Sequence, residues 1–269
     1  MKKTKFMNRF CQGAVLTLAM LMGACGSETE STVESVENAV KEDVASAEEE
    51  WDYENTNWEN ISDSECRSNV QSPVDIKAED VIEANLEPIK YNYTPFDMRI
   101  VDTGHAVQVY GTENSSITVE GKEHQFKQFH FHYPAEHTVD GKRYPLEMHL
   151  VHQEKGSDNL AVLGIFIEEG EQVNEFLEKV FVRVPEEKEK EVQTDVTLTL
   201  SDYIPPAQTH YTYTGSLTTP PCTVGVDWVL YKEPIKASQA QLENFAKYYS
   251  NNARPVQPLN NRKILKTME

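Results

Sequence analysis

The stretch Gln128-Phe-His-Phe-His132, followed by Glu147-Met-His-Leu-Val-His152, decides how this chain is interpreted. Both segments are short and rich in apolar, aromatic or branched residues, so each is predicted to form a β-strand. Side chains on a strand alternate between its two faces, and His130 and His132 therefore share one face. If the second strand lies beside the first, His149 joins them and three imidazoles converge on one point.

Three converging histidines predict a metal site. With an open fourth position they form the pattern of a catalytic rather than a structural zinc site, and zinc lowers the pKa of its bound water to near 7. Gln128 lies two residues before His130, and Glu147 lies two residues before His149, so each can accept the second ring N–H of its histidine. A lone histidine on a strand is more often a hydrogen-bonded core residue, but a set with matched partners favours a metal.

The composition limits the fold and the partners. The chain has 269 residues, of which 39% are hydrophobic and 9% aromatic, enough for one large domain with a sizeable core. A formal net charge of −19 argues against nucleic acid, because phosphate binding needs a basic face. Short apolar segments separated by turn signals predict a mainly β domain over residues 51–269. Peripheral helices are predicted at Glu171–Val180 and Ser238–Ser250.

The first fifty residues predict export and a tether. Residues 1–24 combine a positively charged start with an apolar run that is too short to span a bilayer. The run ends Leu21-Met-Gly-Ala-Cys25, which resembles the cleavage box of bacterial lipoproteins, where the cysteine is lipidated. An ordinary secretory signal with an incidental cysteine is the alternative. Residues 25–50 hold nine acidic side chains, one lysine and no aromatic residue, so they are predicted to be a disordered tether.

These features predict an exported protein that a lipid on Cys25 attaches to a bacterial membrane. Cys11 would leave with the signal, which leaves Cys66 and Cys222. Outside the cytoplasm two remaining cysteines are expected to form a disulfide, and two separate buried thiols are the alternative.

Beyond the two histidine segments, further motifs resemble those of the α-class carbonic anhydrases. They follow the family order from about residue 51 to residue 266. The motifs are Gln71-Ser-Pro-Val-Asp-Ile76, Gly104-His-Ala106, Gln128–His132, Glu136-His-Thr138, Glu147–His152, Leu160–Phe166, Ser216-Leu-Thr-Thr-Pro-Pro221, Trp228, Lys232-Glu-Pro-Ile235 and Arg254–Arg262.

The resemblance implies the fold and the reaction. The fold would be a single domain around a large, mostly antiparallel twisted sheet. The reaction would be the reversible hydration of carbon dioxide to bicarbonate and a proton. One zinc ion per chain, held by His130, His132 and His149, would carry the hydroxide that attacks carbon dioxide. A homodimer is compatible with the sequence.

The resemblance also assigns roles to residues that spacing alone does not reveal. Thr218 and Glu136 would orient the hydroxide, His105 would export the proton, and Tyr53 would help to order the water chain. Thr219 would line the substrate and bicarbonate site. The alternatives are a plain turn for the segment with Thr218 and Thr219, which that segment alone would favour, a surface histidine in a turn for His105, and ordinary core for the apolar residues. The residues that match the apolar wall around carbon dioxide are Val151, Val162, Leu217, Val226 and Trp228.

Two other functions fit a chain of this kind. Some relatives keep the fold but lack zinc histidines and serve as binding modules, whereas here all three ligands are present. A zinc hydrolase acting on esters is the second alternative, best regarded as a side reaction of the same site.

Overall fold

The computed structural model describes residues 51–206 and 208–268, so the predicted signal, the tether and Cys25 lie outside the described residues. Two α-helices are present in these ranges, α1 (Glu175–Phe181) and α2 (Gln239–Phe245). The strands are β1 (Asp75–Ile76), β2 (Val81–Ala84), β3 (Lys90–Asn92), β4 (Phe96–Asp102), β5 (Val107–Tyr110), β6 (Ser116–Val119), β7 (Lys122–His132), β8 (Thr138–Val139), β9 (Lys142–Arg143), β10 (Leu146–Glu154), β11 (Leu160–Gly170), β12 (Val192–Leu198), β13 (His210–Ser216), β14 (Val224–Tyr231), β15 (Ile235–Ser238) and β16 (Ile264–Thr267).

One large sheet dominates the described residues. Its strand order is β12-β4-β5-β7-β10-β11-β14-β13-β16-β2, with β3, β6 and β15 attached beside this path. Most neighbouring strands are antiparallel, and the parallel pairs are β11 with β14, β11 with β15, and β16 with β2. A small sheet of β1, β8 and β9 lies apart from it. The prediction of a mainly β domain around a large twisted sheet is confirmed.

The register of β7 and β10 places the histidines together. The two strands are antiparallel neighbours, with His149 opposite His130 and Glu147 opposite His132. Because directly opposite residues point to the same face, all four side chains lie on one side of the sheet. The predicted neighbourhood of the two histidine segments is therefore confirmed.

The opposite face of the same strands builds the main hydrophobic core. Phe129, Phe131 and Leu150 are at most 1% exposed and pack with residues of α1 and α2. The Phe131 ring lies 5.2 Å from the Phe181 ring and 5.6 Å from the Phe245 ring, measured between centroids. Burial of such aromatic side chains holds the helices against the sheet.

Helix α1 is shorter than the predicted Glu171–Val180. Strand β11 continues to Gly170, so the chain turns before it becomes helical. The helix then begins after Asn174, whose side-chain oxygen accepts hydrogen bonds from the backbone N–H groups of Phe176 and Leu177. This N-cap satisfies donors that the first turn of a helix leaves unpaired.

Helix α2 begins where the sequence predicts but ends earlier than Ser250. Ser238 forms a capping box with Gln241, which fixes the start of the helix. The helix ends at Phe245, and the chain leaves it in tight turns toward β7. Within residues 51–206 and 208–268, no helix is long and apolar enough to cross a membrane.

Cys66 and Cys222 form a disulfide that joins residues 156 positions apart. The expected pairing is therefore confirmed, and the alternative of two free thiols is wrong. The bond ties the loop that follows β13 to the segment before β1, where the Glu65 N–H also donates to the Pro221 carbonyl at 2.8 Å. The chain-entropy model values a cross-link of this span at about 4–5 kcal/mol.

Candidate active site

Three histidines meet on the polar side of β7 and β10. Each of His130, His132 and His149 offers one ring nitrogen, and these nitrogens lie within 4.8 Å of one another. His132 and His149 are buried, whereas His130 is half-buried. The structure thus brings together the three residues that the sequence predicts as metal ligands.

The second nitrogen of two of these rings is held by the predicted partners. His130 Nδ1 donates to Gln128 Oε1 at 2.8 Å, and His149 Nε2 donates to Glu147 Oε1 at 2.8 Å. A carboxylate or amide oxygen in this place fixes the tautomer and the ring orientation. Nε2 of His130 and Nδ1 of His149 therefore remain as lone-pair donors.

The third ring has a partner that sequence reasoning missed. His132 Nδ1 donates to the backbone carbonyl of Asn252 at 2.7 Å. His132 Nε2 is buried and has no hydrogen-bond partner among the described residues. Burial and the neighbouring His149 lower the pKa of His132 to about 3, so the imidazole is neutral at pH 7. A buried, neutral and unpartnered imidazole nitrogen suits a metal ion, because metals bind the deprotonated ring.

A second group of possible ligands, His137, Glu147 and His149, is a hydrogen-bond network instead. Glu147 Oε1 accepts from both His137 Nδ1 and His149 Nε2 at 2.8 Å. His137 Nε2 in turn accepts from the Tyr213 hydroxyl at 2.7 Å. Each of these atoms already has a hydrogen-bond partner, so the group orients His149 rather than holding an ion itself.

Glu136 and Thr218 lie beside the histidines although they are far apart in sequence. Glu136 is fully buried, and its Oε1 accepts from the backbone N–H of Arg254 at 2.8 Å. Its Oε2 lies 3.9 Å from His149 Nδ1 and makes no hydrogen bond of regular geometry with the described residues. Burial raises the pKa of Glu136 to about 7, against the opposite influence of His149 and of the buried Thr218 hydroxyl. Positive charge at the three histidines would favour the ionised form.

The residues predicted to form an apolar wall lie in one hydrophobic cluster, which meets the histidines at Trp228. The Trp228 ring lies 4.8 Å from the His149 ring between centroids, and Trp228 Nε1 donates to the Ser216 carbonyl at 3.0 Å. Thr219 is half-buried in the loop after β13. The wall residues share one hydrophobic cluster, in which Leu217 is partly buried and the others are buried: Val151, Val162, Leu217, Val226 and Trp228.

His105 and Tyr53 lie close to each other. His105 is in the turn between β4 and β5, half-exposed, and its ring stacks on Trp51 with centroids 3.8 Å apart. Burial lowers the pKa of His105, and Lys188 acts in the same direction. The Tyr53 ring centroid is 6.4 Å from that of His105, and the buried Tyr53 hydroxyl has no partner among the described residues.

An open three-histidine site is typical of metal enzymes in which water occupies the fourth ligand position. Comparisons with known proteins show which family of metal enzymes the chain resembles. Residues 53–268 match the family model for eukaryotic-type carbonic anhydrase. The chain is 37% identical over 203 residues to a carbonic anhydrase of Nostoc sp., which covers 74% of this chain and 76% of that protein. A carbonic anhydrase of Klebsiella pneumoniae is 38% identical over 200 residues, covering 72% and 79%.

The chain is also similar to a solved structure of a carbonic anhydrase. The α-carbonic anhydrase of Thermovibrio ammonificans, determined with the inhibitor sulfanilamide, is 42% identical with a TM-score of 0.71 and covers 74% of this chain and 88% of its own. The chain therefore belongs to the α-type carbonic anhydrases and catalyses the reversible hydration of carbon dioxide. Members of this family are zinc enzymes, and the three histidines here form a cluster able to bind a metal.

Asn252 and Arg254 are the site residues that sequence reasoning missed. They hold His132 and Glu136 through a backbone carbonyl and a backbone N–H, which every non-proline residue carries. No residue type could therefore reveal these contacts. The one available signal was that Arg254 opens the last motif shared with the family.

Proposed function

We propose that the metal of this carbonic anhydrase is one zinc ion per chain, held by His130 Nε2, His132 Nε2 and His149 Nδ1. The observation that carries the proposal is the buried His132 Nε2, which has no partner among the described residues, beside the ring nitrogens of His130 and His149 that their oxygen partners leave available. Zinc in catalytic sites takes three protein ligands and keeps one open position. When bound, the ion supplies the Lewis acidity that lowers the pKa of a coordinated water to near 7.

Glu136 and Thr218 are proposed to orient the attacking oxygen. An ionised carboxylate can only accept hydrogen bonds, so the Thr218 hydroxyl donates its proton to Glu136. The lone pairs of Thr218 are then the acceptors that face the site. An attacking oxygen that donates to Thr218 has its own free lone pair directed away from the threonine. The Arg254 N–H, bonded to Glu136 at 2.8 Å, fixes the carboxylate in this role.

The apolar wall and Thr219 are proposed to hold the substrate. Carbon dioxide carries no charge, so a surface of valine, leucine and tryptophan side chains can hold it without a loss of hydration. Bicarbonate is an anion, and an apolar surface gives it no compensating hydrogen bond or charge. The same wall therefore favours arrival of the substrate and departure of the product.

His105 is proposed to carry the proton out of the site, with Tyr53 helping to order the water between them. Each hydration releases one proton, which must reach a group that is neutral at the working pH. Because its pKa is lowered below the usual 6.5, His105 is predominantly neutral at pH 7 and can accept that proton.

The direct test is stopped-flow hydration of carbon dioxide, with zinc determined on the same sample. We expect one zinc per chain and rapid hydration that a strong chelator abolishes and added zinc restores. Full zinc occupancy without hydration would overturn the proposed site.

Replacing Thr218 by valine tests the orienting role. Valine has the same shape but cannot donate to Glu136, so kcat/KM should fall by about 100-fold, the effect of removing one oriented hydrogen-bonding group from an active site. Zinc content should stay the same. Thr197→Val, which removes the hydroxyl of an exposed threonine on β12, is the matched control and should keep full activity. Equal activities of the two variants would contradict the role of Thr218.

We further propose that residues 1–24 are a lipoprotein signal, that residues 25–50 are a tether, and that residues 51–269 are the catalytic domain held outside the cytoplasm by a lipid on Cys25. The disulfide supports export, since such bonds persist mainly in oxidising compartments. Expression of Cys25→Ser beside the unchanged chain tests the anchor. Loss of the protein from the membrane fraction is expected, and equal membrane retention of both proteins would contradict lipidation.

A further inference from the structure

Asn252 is a fully buried polar residue that contacts several parts of the site at once, with 0% of its surface exposed. Its Nδ2 donates to the Phe131 carbonyl at 2.9 Å and to the His105 carbonyl at 3.0 Å. Its Oδ1 accepts from the Tyr133 N–H at 2.7 Å. Its backbone carbonyl accepts from His132 Nδ1 at 2.7 Å. Every hydrogen of the side-chain amide is therefore used.

The two hydrogens of Nδ2 reach two different elements. Phe131 lies on β7 between two of the metal ligands, whereas His105 lies in the turn between β4 and β5. The turn has hydrogen bonds of its own, such as that from the Ala106 N–H to Thr103 Oγ1 at 3.0 Å. Asp102, at its base, also accepts from the Glu189 N–H and from the Tyr249 hydroxyl. Asn252 Nδ2 instead joins the His105 carbonyl to the Phe131 carbonyl of β7, because it donates one hydrogen to each.

We propose that Asn252 is a positioning residue for proton export, and that its side chain fixes the His105 turn against the strand that carries His130 and His132. The proposal rests on the proposed function, in which His105 receives the proton. Proton transfer through ordered water depends on the relative placement of donor and acceptor, so a displaced turn should slow it. The metal ligands are affected less, because the carbonyl that holds His132 belongs to the backbone and is present in every variant.

The test compares Asn252→Ala with the matched control Asn174→Ala. Asn174 also makes several side-chain hydrogen bonds, but these lie in the cap of α1 and at Lys236. Hydration is measured against imidazole concentration on zinc-loaded proteins. In Asn252→Ala, kcat at low buffer should fall about fivefold, which corresponds to one hydrogen bond of about 1 kcal/mol, and imidazole should restore it. The accompanying loss of kcat/KM should be smaller than the loss of kcat, and Asn174→Ala should show no buffer-dependent loss.

His105→Ala and the double variant separate this proposal from the proposed function. If Asn252 acts through His105, Asn252→Ala causes no further loss of kcat at low buffer once His105 is alanine. An equal loss in both backgrounds, or a loss that imidazole does not restore, overturns the positioning role alone. If His105→Ala keeps the unaltered kcat at low buffer, the proposed role of His105 fails and this proposal fails with it.

A second measurement does not depend on activity. In metal-free protein, hydrogen–deuterium exchange of residues 102–106 should be faster in Asn252→Ala than in Asn174→Ala, while the β10–β11 ladder stays protected in both. Asn252→Ser, which retains a small hydrogen-bond donor, is the alternative if the alanine variant does not fold. Unchanged exchange in the His105 turn of a folded Asn252 variant overturns the proposal.

Discussion

The two faces of β7 and β10 are both largely buried, yet they are built in opposite ways. The core face consists of Phe129, Phe131, Met148 and Leu150. The metal face consists of Gln128, His130, His132, Glu147 and His149. On the core face, side chains contact neighbours of any apolar type through shape and area. On the metal face, each ring nitrogen has either one specific oxygen partner or none.

The difference shows that one pair of strands can stabilise the fold through one face and present reactive groups on the other. Apolar packing on the core face is non-directional and gains free energy with every buried methylene group. The metal face instead buries polar groups, which is tolerable because their partners are supplied from residues as distant as Asn252. Substitutions one residue apart on the same strand should therefore have different consequences.

The largest effect is expected for His149→Ala on the metal face. Loss of one of three ligands should abolish stoichiometric zinc binding and lower hydration by at least about a thousandfold, because acidification of the water depends on the ion. Zinc analysis and stopped-flow hydration measure the two losses. Circular dichroism should stay native, since the core face is unchanged. Tight stoichiometric zinc in this variant would show that the ligand set is wrong.

Leu150 is the next residue along the strand after His149. Leu150→Ala should lower stability and keep zinc binding, the opposite of His149→Ala. It removes a fully packed side chain from the core face and should lower the free energy of unfolding by about 2–5 kcal/mol. Zinc stoichiometry should be kept in the folded protein. Urea unfolding, followed by zinc analysis below the transition, provides the measurement. Loss of zinc with unchanged stability would show that the two faces are not separable.

Gln128→Ala tests how much the hydrogen-bond partner of one histidine contributes within the metal face. Without the oxygen that fixes His130 Nδ1, zinc affinity should fall about 10–100-fold while the three ligands stay in place. Competition with a chromophoric chelator measures the affinity. Gln125→Ala, another half-buried glutamine on β7, is the matched control and should bind zinc as tightly as the unaltered chain. Equal affinity in both variants would show that the Gln128 contact does not tune the metal.

A further effect concerns pH and the two buried histidines His132 and His152. Burial lowers the pKa of His132 on the metal face and of His152 beside Phe126 to about 3 each. The unfolded chain, with a histidine pKa near 6.5, therefore binds more protons than the folded chain below that pH. Stability of the metal-free protein should fall as the pH drops from about 6.5 toward 3, by up to about 1.4 kcal/mol per pH unit for each histidine.

Urea unfolding of metal-free protein between pH 7 and pH 4 measures this decline. His152→Gln should make the slope shallower by the contribution of one proton. A slope that does not change in this variant would show that His152 is not neutral in the folded state.

Much of this architecture could be predicted because the signals are local. Alternation of faces in Gln128–His132 predicted the metal face, and the offset of Glu147 from His149 predicted its hydrogen bond. The ends of the helices were harder to predict. Helix α2 ends at Phe245 because the chain then returns to β7, a contact between residues far apart in sequence. The apolar wall and the Thr218–Glu136 neighbourhood required the family resemblance, because valine and threonine carry no signal that distinguishes a substrate wall from ordinary core.

Asn252 and Arg254 have a consequence for the order of events during synthesis. The three histidines are made near the middle of the chain, but the carbonyl that orients His132 follows 120 residues later, and the N–H that holds Glu136 follows that residue by 118. A ribosome adding about 5–20 residues per second therefore exposes the histidines for several seconds before their supporting contacts exist. The contacts that hold His132 and Glu136 therefore form only after this late segment has been made and has docked.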